Sequence, residues 1–372
     1  MLPDNLLKQI KEADGGYRRT NLRDFYLPTY NPKTHYLALT KSKYFKALIT
    51  LRHYAKTSSD YYFSVRQAAM CVDLFMMTPS VSSPAGLGSD SKVIPIKFGK
   101  YRTNLVDSSQ FGFEPLLMNG IEKVYCYLPS MRGEKPDKRH LNQFFHCEGE
   151  IQGTIADLLP IVEGYVKTLA ETFLAMPYVL ERISADPKKS MEGLGDILKV
   201  KRFPSVTFDE AVELLIHQGK KKLVRFTSSG RDITPEGEAA LAKLFGFKIP
   251  FWITYYDRDR TPFYQKPYSK NKEKTVNADL IFPALTKNSF GGEIVGCGQR
   301  QDDPREMMDS LKRQNIDRVP YEWYINLRKL PTYRTTSGFG LGIERFIAWS
   351  LCHDDIKDGI VYPRLKNVKT YP

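Results

Sequence analysis

Along the first part of the chain the apolar positions recur at helical spacing. They predict one helix over 44–55 and a second over 64–76, where Val65, Ala68, Val72, Phe75 and Met76 share a face. Thr78 and Pro79 end the second helix. Beyond the Ser/Gly stretch 82–91 the rhythm shortens to that of strands over 92–98, 101–106 and 122–128, with a polar-to-helical piece at 108–118. A further strand over 142–151 leads into a long amphipathic helix. It starts near Asp157 and Pro160, carries Ile161, Val162, Tyr165, Leu169 and Phe173 as its apolar stripe, and ends at Pro177. Residues 186–250 are more helical and more charged; Thr207 with Glu210 forms a capping-box pattern, and Thr234 with Pro235 opens another helix. Strand-like segments return at 251–256, 279–282, 293–298 and 323–327, before a glycine-rich strand-to-helix turn at 338–350. Strands separated by helices, without regular βαβ alternation, predict an α+β fold: an antiparallel sheet flanked by helices.

The composition narrows this picture. With 372 residues, 42% of them hydrophobic and 26% charged, the chain can bury a large core. No run of about 18 apolar residues predicts a membrane span, and the polar, amphipathic first residues do not resemble a secretory signal. Five cysteines, Cys71, Cys126, Cys147, Cys297 and Cys352, are widely spaced without a CxxC pair, which suits a reducing cytoplasm and excludes a zinc-ribbon type of site. A net charge of +13 points to phosphate-bearing partners without choosing among nucleotide, tRNA and other nucleic acids.

Candidate chemistry gathers in three segments. In YCYLPSMRGEKPDKRHLNQFFHCEGEI, residues 125–151, a hairpin presents Arg132, Glu134, Arg139, His140 and Phe144, followed by Glu148 and Glu150. Guanidinium forks bind polyphosphate oxygens and a phenylalanine ring can stack on a base, although a surface hairpin with ordinary salt bridges would use the same residues. In GFGLGIERF, residues 338–346, Gly338, Gly340 and Gly342 strip one face of a strand, so a flat ligand or a close-packed turn would fit there. Arg345 follows on the first helical turn. In GGEIVGCGQR, residues 291–300, Glu293 and Arg300 differ in strand parity, so only a bend or bulge would bring both into one cleft.

In order and spacing these three segments resemble the motifs of class II aminoacyl-tRNA synthetases, within them the aspartyl/asparaginyl subgroup. The resemblance covers about 60–364 and takes in Met77-Thr78-Pro79, the LVDSSQ stretch 105–110, 323–328 and the tail 356–364. It implies attack of an amino-acid carboxylate on the α-phosphorus of ATP. By that carry-over Arg132 binds the α-phosphate, Arg139 or His140 the terminal phosphates, and Phe144 stacks on adenine. Arg345 grips the γ-phosphate, and Glu293 holds Mg²⁺; Glu134, Gly340 and Gly342 complete the ATP site. Gln110, Glu148, Arg300 and Gly338 line the amino-acid pocket, with Arg300 reading the side chain of aspartate or asparagine. Arg132, Arg345 and Glu293 are the expected catalytic residues.

The sequence departs from the family pattern at GLGSD, residues 86–90, where an acidic loop is usual, and at Gln143 and Thr336, which replace a Glu and a His. An OB-type anticodon barrel needs about 100 residues before the first motif, and residues 1–60 read partly as helix. The expectation is therefore an N-terminal extension over 1–60 and a catalytic domain over 61–372 with a helical insertion at 186–250. The leading functional expectation is a cytoplasmic, homodimeric ligase that makes an aspartyl- or asparaginyl-adenylate and passes the acyl group to an amine. The alternatives are an asparaginyl-tRNA synthetase and a silent paralogue that binds nucleotide or RNA.

Overall fold

The structure is a computed structural model and describes residues 1–82 and 91–371; the GLGSD segment lies outside the described residues. Its centre is an α+β arrangement built on an eight-stranded sheet. The spatial order is Met70–Cys71, Lys123–Met131, Gln143–Gln152, Thr336–Gly342, Gly292–Gln299, Asn277–Phe282, Phe251–Thr254 and Ser205–Thr207. The six inner strands pair antiparallel, and the two edge strands add in parallel.

Alternation along the strands separates the two faces. Tyr125, Tyr127, Cys147, Val295, Cys297, Phe339 and Leu341 point to one face, and all join the main core. That face is covered by the helices Ile155–Leu174 and Lys43–Asp60. The first is capped by Thr154 with Asp157 and buries Leu158, Val162, Tyr165, Leu169 and Phe173. Phe339 packs 5.5 Å from Phe63, which stacks 5.0 Å from Tyr125. Burial of one such ring stabilises by about 2–3 kcal/mol. Residues of the N-terminal helix Asp4–Gly15, Leu6 and Ile10 among them, belong to the same core.

The opposite face is walled at its two ends. At one end Phe208, Val212, Leu215, Leu241, Phe251, Ile253 and Ile281 form a satellite core under residues 205–244. This stretch carries strands as well as helices: Ser205–Thr207 joins the main sheet, and Val224–Thr227 pairs with Gly230–Ile233. At the other end Phe111, Tyr264, Met307, Tyr321 and Tyr324 pack together. Between the two walls no apolar layer covers the sheet, and Gly296, Gly298, Gly338, Gly340 and Gly342 leave the middle of this face without side chains. Among the described residues no helix is long and apolar enough to cross a membrane.

Two predicted elements differ. Residues 64–76 are not a helix: the Lys43–Asp60 helix continues as a π turn over Tyr61–Arg66, and Ala68, at φ 51°, then leaves helical space. Met70–Cys71 pairs with Val124 and Tyr125, so strand addition outweighs the helical period, and Val65, Phe75 and Met76 are exposed. Residues 323–327 are not a strand but part of the helix Glu322–Leu327. Tyr324 and Ile325 are its buried positions, and with the flanking buried Tyr321 and Arg328 they recur at helical period.

Candidate active site

The glycine strand Thr336–Gly342 makes the floor. Gly338 sits opposite Glu150 and Gly298, Gly340 opposite Glu148 and Gly296, and Gly342 opposite His146, so these residues share the bare face. A Cβ on Gly340 would come no nearer than 3.6 Å to Glu148, and one on Gly342 no nearer than 3.5 Å to Arg345, which is ordinary contact. Gly338 differs, since a Cβ there would overlap the Arg300 guanidinium and lie 2.8 Å from Glu150 Oε2. The protein itself needs the bare position at 338; at 340 and 342 it leaves open surface.

Two cavities adjoin over this floor. The first, about 110 Å³, is lined by Arg132, Glu134, Arg139, His140, Phe144, Glu293, Gly340, Gly342 and Arg345, which are all nine residues expected at ATP. The second, about 190 Å³, contains Gln110, Glu148, Arg300 and Gly338, the four expected at the amino acid. Arg132, His146, Glu293 and Gly340 line both. A larger cavity of about 810 Å³ shares Arg139 with the first and extends from it among Lys243, Lys248 and Lys287.

At the first cavity the Arg132 guanidinium lies 5.3 Å from the centre of the Phe144 ring. Its Nε is buried and has no hydrogen-bond partner among the described residues. Arg345 Nη1 donates to the Glu293 carbonyl at 3.0 Å and to its carboxylate at 3.2 Å. Arg139 donates to Gly291 O at 2.5 Å and pairs with Glu238 at 3.5 Å, and His140 pairs with Asp137 at 2.9 Å. Glu134 accepts from Lys92 N at 3.2 Å.

Glu293 reaches this face through a bulge. Leu280 pairs with Val295 and Ile281 with Glu293, so Ile294 is the extra residue and the parity of Glu293 switches to that of Gly296, Gly298 and Arg300. Opposite Gly296 stands Asp279. A Cβ on Gly296 would lie 3.6 Å from Asp279 Oδ1 and 3.6 Å from Glu293 Oε1, so the two carboxylates flank one open point. Burial raises both, but Arg345, Arg132 and Arg139 bring Glu293 below its usual range, whereas Glu293 and Glu238 add to the rise at Asp279. Burial pushes Glu238 up to about 7 against the pull of Arg139. Two carboxylates beside a cavity expected to take phosphates fit the needs of Mg²⁺, which takes one or two carboxylates and completes its shell with phosphate and water oxygens. Among the described residues no group of three or more His, Cys, Asp or Glu is arranged to hold a metal unaided.

In the second cavity Arg300 donates to Glu150 at 2.8 and 3.2 Å, and Thr336 donates to the other Glu150 oxygen at 2.8 Å. Burial works against the Arg300 charge and Glu150 outweighs it. Glu148 accepts from Ser108 Oγ and, at 2.7 Å, from Ser109 N. Burial alone would raise Glu148, yet His146 and these bonds hold it below the usual range, so it is an anion. Gln110 donates to the Tyr264 hydroxyl. Asp279, Glu238, His146, Tyr264 and Gln265 are site residues that sequence reasoning missed; Gln265 Oε1 is buried without a partner among the described residues.

A family model described as tRNA synthetases class II (D, K and N) matches residues 28–366. The asparagine–tRNA ligase of Pyrococcus furiosus is 32% identical over 282 residues, covering 74% of this chain and 59% of that ligase. The probable asparagine–tRNA ligase, cytoplasmic, of Encephalitozoon cuniculi is 27% identical over 320 residues, covering 84% of this chain and 65% of its own length. The chain thus spans less than two thirds of either relative. Among solved structures, asparaginyl-tRNA synthetase from Pyrococcus horikoshii complexed with asparaginyl-adenylate superposes with a TM-score of 0.79 at 24% identity, over 91% of this chain and 73% of that one. The Entamoeba histolytica asparaginyl-tRNA synthetase in complex with asparaginyl-adenylate gives 0.75 at 21% identity, over 93% and 74%. These likenesses establish the shared fold, and with the family match over most of its length the chain belongs to the class II tRNA synthetases of the D, K and N type.

Proposed function

We propose that this chain activates asparagine with ATP, forming asparaginyl-adenylate and pyrophosphate, and then transfers the asparaginyl group to a tRNA. The observation that carries the reading is Arg132: a buried guanidinium nitrogen without a partner among the described residues, at the junction of the two cavities, suits an α-phosphate oxygen. The amino-acid carboxylate attacks the α-phosphorus in line and pyrophosphate leaves. Positioning and charge neutralisation carry this step. Arg132 holds the α-phosphate, Phe144 stacks on adenine, and Arg139, His140 and Arg345 take the terminal phosphates. Glu134, Gly340 and Gly342 shape the nucleotide site. Glu293 with Asp279 would hold Mg²⁺, which supplies positive charge to the phosphates.

Charge favours an amide over a carboxylate as the substrate side chain. Arg300 is already neutralised by Glu150, and Glu148 adds a further negative charge, so a second carboxylate would be repelled. An amide offers its oxygen to Arg300 and its N–H to Glu148. Gln110 and Gly338 complete this pocket. The named relatives favour tRNA as acceptor over the small amine expected from the sequence. We place the reaction in the cytoplasm, as the Encephalitozoon relative's name has it. We assign catalysis to residues 61–372, with 1–60 as a bracing extension and 186–250 as an insertion that supplies Glu238.

Exchange of labelled pyrophosphate into ATP, run with asparagine and with aspartate, tests the reading. Asparagine-dependent exchange is expected, falling at least about 100-fold in Arg132→Ala and in Arg345→Ala. Full exchange in both variants, or exchange with neither amino acid, would remove it.

A further inference from the structure

We infer that His146 is the proton acceptor of the second half-reaction, the transfer of the acyl group from the adenylate to the ribose hydroxyl of the acceptor; this rests on the function proposed above. Four residues line both cavities, and three of them have a part in adenylate formation: Arg132 as cation, Glu293 as carboxylate and Gly340 as floor. His146 has none, because attack by an ionised carboxylate on phosphorus moves no proton. Transfer does move one. An ester bond forms between a hydroxyl oxygen and the acyl carbon, the bond from that carbon to the phosphate oxygen breaks, and AMP leaves with the electron pair. The hydroxyl proton must be taken up beside the acyl carbon, which lies where the two cavities meet.

The geometry suits imidazole for that task. His146 alternates with Phe144 and Glu148 on the site face of Gln143–Gln152, opposite Gly342. Its Nδ1 lies 3.0 Å from Ser130 Oγ and 3.5 Å from Glu148 Oε1, and its ring meets that of Phe144 edge-on at 4.7 Å. Nε2 makes no hydrogen bond among the described residues. Imidazole nitrogens are distinct: with Nδ1–H directed at Glu148 or Ser130, Nε2 carries the lone pair. Once protonated there, the ring is a cation beside the Glu148 anion, the arrangement that stabilises a general base. Around it, Glu148 on its own strand and Glu293, two strands away in the same sheet, are offset by Arg132 and by Arg345 from the helix Ile343–Ser350, while Glu344 is tied to Arg52.

The test separates the two half-reactions in the full-length chain. Pyrophosphate exchange reports adenylate formation; single-turnover transfer from preformed adenylate to total tRNA reports the second step. In His146→Gln and His146→Ala the ratio of transfer rate to exchange rate is expected to fall about 100-fold or more. The wild-type transfer rate should rise with pH along one ionisation that both variants lack, and added imidazole should restore part of the transfer in His146→Ala. Equal losses in both steps without rescue by imidazole would make His146 structural and overturn the proposal, as would an unchanged ratio with an unchanged pH profile. Wild-type enzyme that exchanges pyrophosphate with no amino acid would instead bring down the underlying reading.

Discussion

One methyl group should act differently at two neighbouring glycines. At Gly338 it would overlap the Arg300 guanidinium, which is buried and bonded to Glu150, so Gly338→Ala must displace that pair. The expected result is a loss of about 1–3 kcal/mol in stability from overpacking and a raised KM for the amino acid. At Gly340 the methyl meets nothing closer than 3.6 Å, so Gly340→Ala should unfold within about 0.5 kcal/mol of the parent. It would still occupy the surface on which the proposed substrates would lie, and pyrophosphate exchange should drop at least tenfold. Urea titrations beside exchange assays separate the two, and a Gly340→Ala enzyme of full activity would refute the floor assignment. The same contrast explains what could be read in advance. The resemblance to the synthetase motifs, carried by segments whose composition suits the chemistry of Arg132, Phe144, Glu293 and Arg345, supplied thirteen expected positions, and each of them lines at least one of the two cavities. Asp279 had a signal that was passed over, one acid inside the apolar run NADLIF. Glu238 had none, because an acid in the first turn of Pro235–Leu244 looks like ordinary helix surface until tertiary packing bonds it to Glu293 N.

At the scale of elements, strand pairing decided what periodicity could not. The bulge at Ile294 could be invoked from sequence only as a possibility, since its position depends on the register with Asn277–Phe282. The lost helix over 64–76 has the same origin, because an edge strand gains its bonds from a neighbour over 50 residues away. The hairpin Val224–Thr227 and Gly230–Ile233 offers a test of how such elements are fastened. Asp257 accepts from Arg231 N, Nε and Nη2 at 2.8, 2.9 and 2.7 Å and from Lys274 Nζ at 2.8 Å. Burial pushes its carboxyl up, but these bonds outweigh it and hold Asp257 at about 2, below the ordinary 3.8. A depressed carboxylate stabilises the fold above its unfolded value, and that contribution is lost as pH falls through the folded one. Between pH 4 and 2 the clamp should therefore forfeit about 2 kcal/mol. Asp257→Asn should be less stable than the parent at pH 5, with the gap narrowing by that amount towards pH 2. A gap that stays constant in urea titrations across this range would show that the clamp does not depend on the charge.

At the scale of the whole molecule, layering was legible and docking was not. The α+β class follows from strand and helix periods, whereas the merging of residues 1–60 with the main core depends on contacts such as Ile10 and Leu48 meeting in one buried cluster. Among the described residues, the stretch after the first long helix keeps large apolar side chains exposed. Val65, Met70, Phe75, Met76 and Met77 are exposed around the edge strand, and Met77 pairs with the hairpin that presents Phe98 and Tyr101, also exposed. Folded monomers seldom leave so many large apolar side chains together, and such a patch marks an association surface. A homodimer in which this segment meets its copy would bury both patches at once, as a two-fold interface requires. Sedimentation at micromolar concentration should then give twice the chain mass of 42.8 kDa. Met76→Glu with Met77→Glu, which places four charges at the interface of a dimer, should shift the protein to the single-chain mass while leaving its circular dichroism unchanged. A wild-type protein that sediments as one chain at those concentrations, or a double variant that remains a dimer, would place the association elsewhere or nowhere on this face.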